Sequence, residues 1–205
     1  MDPKLVTLQN VLNVFVKNYQ SNPIKYFYEE DLRAHLLYLL ITEEIFNIKL
    51  PITDENEWLR DYVGILDKEI NISGIKAEYP STTKFDIAYI NNNSIIPDNY
   101  FNHYIFGCLF AIEIKLGQKD NKNSDFKSDI MKLCDYKKEH HDFTGIAINF
   151  EQNPRVEKDS LFKDYNNHET LKIEELTEGI ELIPESINCF FICPKFTLGG
   201  LIINT

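Results

Sequence analysis

The sequence predicts an α/β domain with a central mixed sheet flanked by helices. Three features of the 205-residue chain support this class. Short runs of alternating β-branched and aromatic residues are closed by turn formers, apolar stripes at helical spacing lie on either side of them, and the succession along the chain reads α-β-β-β-α-β. Additional helices at the N-terminus and strands at the C-terminus complete it. No low-complexity linker or repeat divides residues 1–205, so a single domain is expected, with its core over about residues 26–150.

Leu5, Leu8, Leu12, Phe15 and Val16 recur at the spacing of one helix face. A second helix is predicted over Tyr26–Leu40, with Leu32, Leu36, Leu39 and Leu40 on one side, and another over about residues 55–69, burying Trp58, Tyr62, Ile65 and Leu66. Ile75–Pro80 reads as the first core strand, Lys84–Ile90 as the second, Asn91-Asn-Asn-Ser94 as a turn, and Leu109–Leu116 as the third. Phe126, Ile130, Leu133 and Cys134 then fall at i, i+4, i+7 and i+8, a stripe suited to covering the Ile112/Ile114 side of the sheet. Thr144–Phe150 supplies a fourth strand, parallel to the third because a helical crossover joins them. Farther on, a short helix over residues 160–166 and late strands at Asn188–Cys193 and Gly200–Ile203 extend or flank the sheet.

Charges inside two of these strands are the main chemical signal. Strand side chains alternate between faces, so Ala111, Glu113 and Lys115 share one face while Ile112, Ile114 and Leu116 share the other; Asp86 likewise shares its face with Ala88. The apolar side belongs in a core. Charges on the reverse side, set beside alanine, require a cleft or a metal, because a buried charge without a partner is expensive. Two carboxylates and a lysine suit Mg²⁺, which takes one or two protein carboxylates and keeps room for water and phosphate. Plainer readings compete. Glu29, Glu30 and Asp31 at a helix start would stabilise its dipole, and Glu113 with Lys115 would make a surface pair on an edge strand. The apolar flank of Glu113 favours a central strand instead.

An acid in Lys84-Phe-Asp-Ile-Ala-Tyr-Ile90, an acid-x-lysine in Phe110-Ala-Ile-Glu-Ile-Lys-Leu-Gly117 and this order of elements together resemble the PD-(D/E)xK nuclease superfamily. The resemblance implies a restriction-endonuclease-like fold, a core αβββαβ, and metal-dependent hydrolysis of nucleic-acid phosphodiesters, DNA ahead of RNA. It also implies that Asp86 and Glu113, with the backbone carbonyl of Ile114, hold Mg²⁺ or Mn²⁺, and that Lys115 orients a water and stabilises its hydroxide form. The family places a further glutamate on the helix before the first strand. Phe27-x-Glu29-x-x-Leu32 matches that helix, which gives the role to Glu29 with Glu30 as its competitor. Phe85 stands where the name-giving motif has proline. Glu78 is open between a group supporting the site and a solvated strand residue. The alternative is a catalytically inactive nuclease-like fold, serving as a protein- or nucleic-acid-binding module in a defence or mobile-element system.

Composition bounds the remaining classes. Formal charge is −11, which opposes phosphate binding over most of the chain, yet residues 115–138 hold seven lysines against four aspartates. Residues 157–185 hold nine acids and three lysines, a face suited to a protein partner rather than DNA. A second copy of the chain stays open as a partner. No run of eighteen apolar residues and no basic-then-apolar leader is present, so a cytoplasmic protein without membrane association is expected. Cys108, Cys134, Cys189 and Cys193 lack metal-site spacing and read as buried free thiols. His140 and His141, between Glu139 and Asp142, read as solvated helix-end residues. The chain contains no Gly-rich phosphate loop, Gly-x-Ser-x-Gly elbow, helix-turn-helix or zinc finger.

Overall fold

Helix α1 (Pro3–Ser21) starts where the Asp2 carboxylate accepts the Lys4 backbone N–H at 2.8 Å, with Pro3 in the first turn, where its missing N–H does no harm. It buries Leu8, Val11, Leu12, Phe15 and Tyr19. Helix α2 (Glu29–Ile41) is capped by Asp31, whose carboxylate accepts the backbone N–H groups of Phe27 and Tyr28, and buries Leu32, Leu36 and Leu40. These helices belong to a computed structural model that describes residues 2–51, 69–80, 83–97, 104–117, 122–152, 185–194 and 197–199.

Strands β1 (Asn47–Pro51) and β2 (Glu69–Ser73) pair antiparallel with each other, an element the sequence reading did not anticipate. The helix predicted over residues 55–69 lies outside the described residues except at its last position, where Glu69 opens β2. The main sheet is mixed. It comprises β3 (Ile75–Tyr79), β4 (Phe85–Pro97), β5 (Tyr104–Gly117), β6 (Thr144–Glu151) and β7 (Ile187–Ile192) in spatial order, extended at one edge by the short β8 (Thr197–Gly199). Helix α3 (Lys122–Glu139) connects β5 to β6, and those strands are parallel, as the crossover requires. The order α2-β3-β4-β5-α3-β6 therefore contains the expected succession, interrupted after α2 by the β1/β2 pair. Asn91–Ser94 does not end a strand. β4 continues to Pro97 with an irregular register between Asn91 and Ile95, so the asparagine-rich stretch marks a bulge. Ile187–Ile192 matches the first late strand; residues 160–166 and 200–203 lie outside the described residues.

The sheet separates two apolar layers. Ile87, Ile112, Ile114, Ile146, Ile148 and Phe150 pack against α1 and α2. Ala88, Ala111 and Ala147, on the other face, pack with Phe126, Ile130, Leu133 and Cys134 of α3. The stripe on α3 is real, but it covers the alanine side and not the Ile112/Ile114 side expected from the sequence. Small residues allow this close approach: a Cβ on Gly145 would stand 3.1 Å from the Leu133 Cβ and 2.6 Å from the Ile187 Cδ1. Among the described residues, no helix is long and apolar enough to cross a membrane.

Candidate active site

The site forms where β5 runs past the beginning of β4. The regular ladder joins Ile87 to Ile112, and beyond it β5 has backbone N–H groups that β4 does not pair. Such groups need acceptors. Two carboxylates supply them: Asp86 Oδ2 accepts the Ile114 N–H at 2.8 Å, and Glu29 Oε2 accepts the Leu116 N–H at 3.4 Å. The first turn of α2 thus overhangs the end of β5, which brings Glu29 to the strand that carries Glu113 and Lys115.

Strand alternation sends Glu113 and Lys115 toward α3. Lys115 Nζ lies 3.3 Å from Glu29 Oε1 and 3.4 Å from Asp129 Oδ2. Glu113 is 2% exposed and forms an ion pair with Lys132 of α3. The Lys132 ammonium also donates to the Lys84 carbonyl at 3.3 Å, approaches Asp129 Oδ1 at 3.8 Å and lies 5.6 Å from the centre of the Phe85 ring. Phe85, buried against Tyr136 and Phe143, thus fills the expected proline position with a ring that braces α3. Arg33 bridges Glu78 and Asp86, the latter at 3.4 Å through Oδ1.

This crowding displaces the protonation equilibria. Burial, followed by the negative charge of Asp86, pushes the Glu113 carboxyl up to about 8, although Lys132 opposes the shift. Burial also raises the Asp129 carboxyl against the pull of Lys115 and Lys132. For Lys115 burial works downward, but the carboxylates of Asp129, Glu29 and Asp86 outweigh it and hold the ammonium above the ordinary lysine range. Lys115 is therefore a fixed cation and not a proton acceptor at neutral pH.

The four side chains singled out from the sequence, Glu29, Asp86, Glu113 and Lys115, come together here. Glu30 is exposed and makes no contact with this group, and Asp31 is the cap of its helix, so the dipole reading suits those two acids but not Glu29. Glu78 joins the periphery through Arg33; its φ of 53° and the 52° of Lys84 place both non-glycine residues in the left-handed region, one on each side of the β3–β4 connection. Sequence reasoning missed Arg33, Asp129 and Lys132. Arg33 and Asp129 carried a signal. Arg33 follows Glu29 by one helical turn, and Asp129 lies three residues after Phe126 and four before Leu133, inside an otherwise apolar stripe.

A divalent cation fits the chemistry of this donor set. Formally, the carboxylates of Glu29, Asp86, Glu113 and Asp129 face the ammonium groups of Lys115 and Lys132, with Arg33 and Glu78 offsetting each other, which leaves an excess of two negative charges. Ile114, whose carbonyl is the third implied ligand, lies between Glu113 and Lys115 on β5. Among the described residues no group of three or more His, Cys, Asp or Glu side chains is placed to hold a metal ion; Mg²⁺ takes only one or two protein carboxylates. The cysteines are free, with Cys108, Cys134 and Cys193 buried. His140 follows the end of α3 and stacks on Tyr136 at 4.0 Å.

Comparison with protein-family models, curated proteins and solved structures finds no match to this chain.

Proposed function

We propose that the chain is a metal-dependent nuclease of the PD-(D/E)xK type, with a restriction-endonuclease-like core, that hydrolyses phosphodiester bonds of nucleic acid, DNA ahead of RNA. The observation that carries this reading is the convergence of Asp86, Glu113, Lys115 and Glu29 from two adjacent strands and the helix before them. Asp86, Glu113 and the Ile114 carbonyl would hold Mg²⁺ or Mn²⁺, which polarises the scissile phosphate and offsets the charge that develops there. Asp86 is oriented by the Ile114 N–H, and Lys115 by Glu29 and Asp129. A permanently charged Lys115 stabilises an attacking hydroxide and the anionic transition state by its field, in a place sheltered enough for that field to act. Glu29 positions Lys115.

Among the described residues of the basic segment, four lysines are engaged within the protein. Lys137 donates to the carbonyls of His141 and Phe143, Lys138 pairs with Asp135, and Lys115 and Lys132 face the carboxylate cluster, so much of the basic segment is engaged internally. Affinity for bare DNA is therefore modest and salt-dependent. The same engagement supports the alternative, an inactive nuclease-like binding module, since lysines already neutralise part of the acid cluster. Cleavage of single-stranded, duplex and branched DNA and of RNA with Mg²⁺ or Mn²⁺, by the natural protein and Asp86→Asn, separates the two. Metal-dependent cleavage lost in Asp86→Asn is expected; no cleavage of any substrate gives the binding module precedence.

A further inference from the structure

The group on Glu113 is the least anticipated feature of the site. Lys132 is not on the motif strands. It arrives from α3, and its ammonium is surrounded by the acceptors a hard cation would choose: a Glu113 carboxylate oxygen, the Lys84 carbonyl at 3.3 Å and the Asp129 carboxylate at 3.8 Å. The Phe85 ring adds a π face at 5.6 Å. Lys115, by contrast, sits between Glu29 and Asp129 and leaves Glu113 alone. Two lysines thus divide the cluster, and only Lys132 stands on a carboxylate assigned to the metal.

Its surroundings also provide an exit. The Lys132 side chain retains 28% exposure while Glu113 retains 2%, and Lys132 lines a cavity of about 660 Å³ with Thr83, Ser128 and Tyr136. The flexible stem can carry the ammonium from Glu113 into that space without unpacking α3, whose core contacts are made by Phe126, Ile130 and Leu133. Glu113 has no comparable freedom because it is fixed on a central strand.

Building on the assignment of Asp86 and Glu113 as cation ligands, we propose that Lys132 is the resident cation of the metal-free site and that a divalent ion binds by displacing its ammonium into the adjacent cavity. The exchange keeps the buried Glu113 carboxylate paired at every stage, by lysine before loading and by the metal after it. The displaced ammonium remains at the mouth of the site.

Two measurements on the full chain test this. Titration calorimetry with Ca²⁺, a hard cation probe read by heat and not by turnover, should give about tenfold tighter binding in Lys132→Met than in the natural protein, about 1.4 kcal/mol, because the competing ammonium is gone. Lys127→Met, which removes a lysine from the same cavity wall, should change affinity less than twofold. Unchanged or weaker Ca²⁺ binding in Lys132→Met, or an equal gain in Lys127→Met, overturns the exchange. Amine acetylation mapped by mass spectrometry on the natural protein covers the case in which Lys132→Met does not fold. Labelling of Lys132 should rise severalfold on Ca²⁺ addition while that of Lys115 does not. Ca²⁺ binding with no change at Lys132 removes the exchange and leaves the metal site standing, whereas no binding of Ca²⁺ or Mn²⁺ by the natural protein removes both.

Discussion

The two faces of the sheet are built from the same strands and differ in almost everything else. On one face, Ile112, Ile114, Ile148 and Phe150 meet the aromatic and leucine side chains of α1 and α2, and no charged side chain among the described residues is buried there. On the other, alanines and Gly145 let α3 approach closely, and that approach encloses Glu113 and Asp129. The larger apolar cluster lies on the first face, and the candidate site shares the second with a smaller one. Strand alternation makes the division possible, because neighbouring residues such as Glu113 and Ile114 serve opposite layers one peptide bond apart.

The sharpest way to break this contrast is to remove bulk from the apolar face. Phe150 is fully buried, with its ring 5.5 Å from that of Phe15 and 4.6 Å from that of Tyr19. Phe150→Ala should lower unfolding free energy by about 3–5 kcal/mol, measured by urea denaturation. The alanine face should fail in the opposite sense, through added bulk: Gly145→Ala forces a Cβ against Leu133 and should cost about 1–3 kcal/mol. A negligible effect of Phe150→Ala, or a larger loss from Gly145→Ala, would show that the faces do not divide the work this way.

Next in size is Lys115→Met. A fixed ammonium acting in the transition state should, when removed, slow single-turnover cleavage by about 10²–10³-fold while substrate affinity changes little. If Lys115 merely attracts phosphate, binding weakens and its salt dependence falls by about one counterion. That outcome would move Lys115 from the reaction to the surface.

Glu113 tests the comparison through stability. Its folded-state proton affinity is raised from the ordinary glutamate range to about 8. Its protonated form therefore stabilises the fold fully below about pH 4.5, and this contribution is lost as pH rises through about 8. With chelator present, Glu113→Gln should escape that loss, so its advantage over the natural protein should grow by a few kcal/mol between those limits. Denaturation at a series of pH values checks it; a constant difference would mean that Glu113 binds its proton equally well in the folded and unfolded chain.

Much of this was legible before any coordinates, and the limits are physical. Alternation located Asp86, Glu113 and Lys115 because a two-residue period is unambiguous once charges interrupt an apolar run. It could not say which layer α3 joins. Alanine beside a charge looked like room for a cleft, and it proved to be room for a helix. The bonds from the Ile114 and Leu116 N–H groups to Asp86 and Glu29 were also invisible, since they depend on how far β5 runs past the beginning of β4 and on where α2 lies beside it. Lys132 was hidden for a simpler reason: a lysine on a helix otherwise reads as solvated.

The smallest effect concerns the helix acids, where one residue of phase separates two readings. Glu29 joins Lys115 at 3.3 Å and the Leu116 N–H at 3.4 Å, whereas Glu30 faces solvent. Glu29→Gln keeps the hydrogen-bonding oxygen but removes the charge that anchors Lys115, so cleavage should fall by about tenfold to a hundredfold with little change in melting temperature. Glu30→Gln should alter neither cleavage nor stability beyond about 0.5 kcal/mol, the range of ordinary surface substitutions. Measured side by side, the pair isolates position from composition, because both variants remove one negative charge from the same helical turn and change its dipole energy alike. Equal losses would make the effect one of helix electrostatics. A larger loss in Glu30→Gln would mean that α2 turns a different face to β5 in solution, and the link between the two faces of the sheet would have to be redrawn through Glu30.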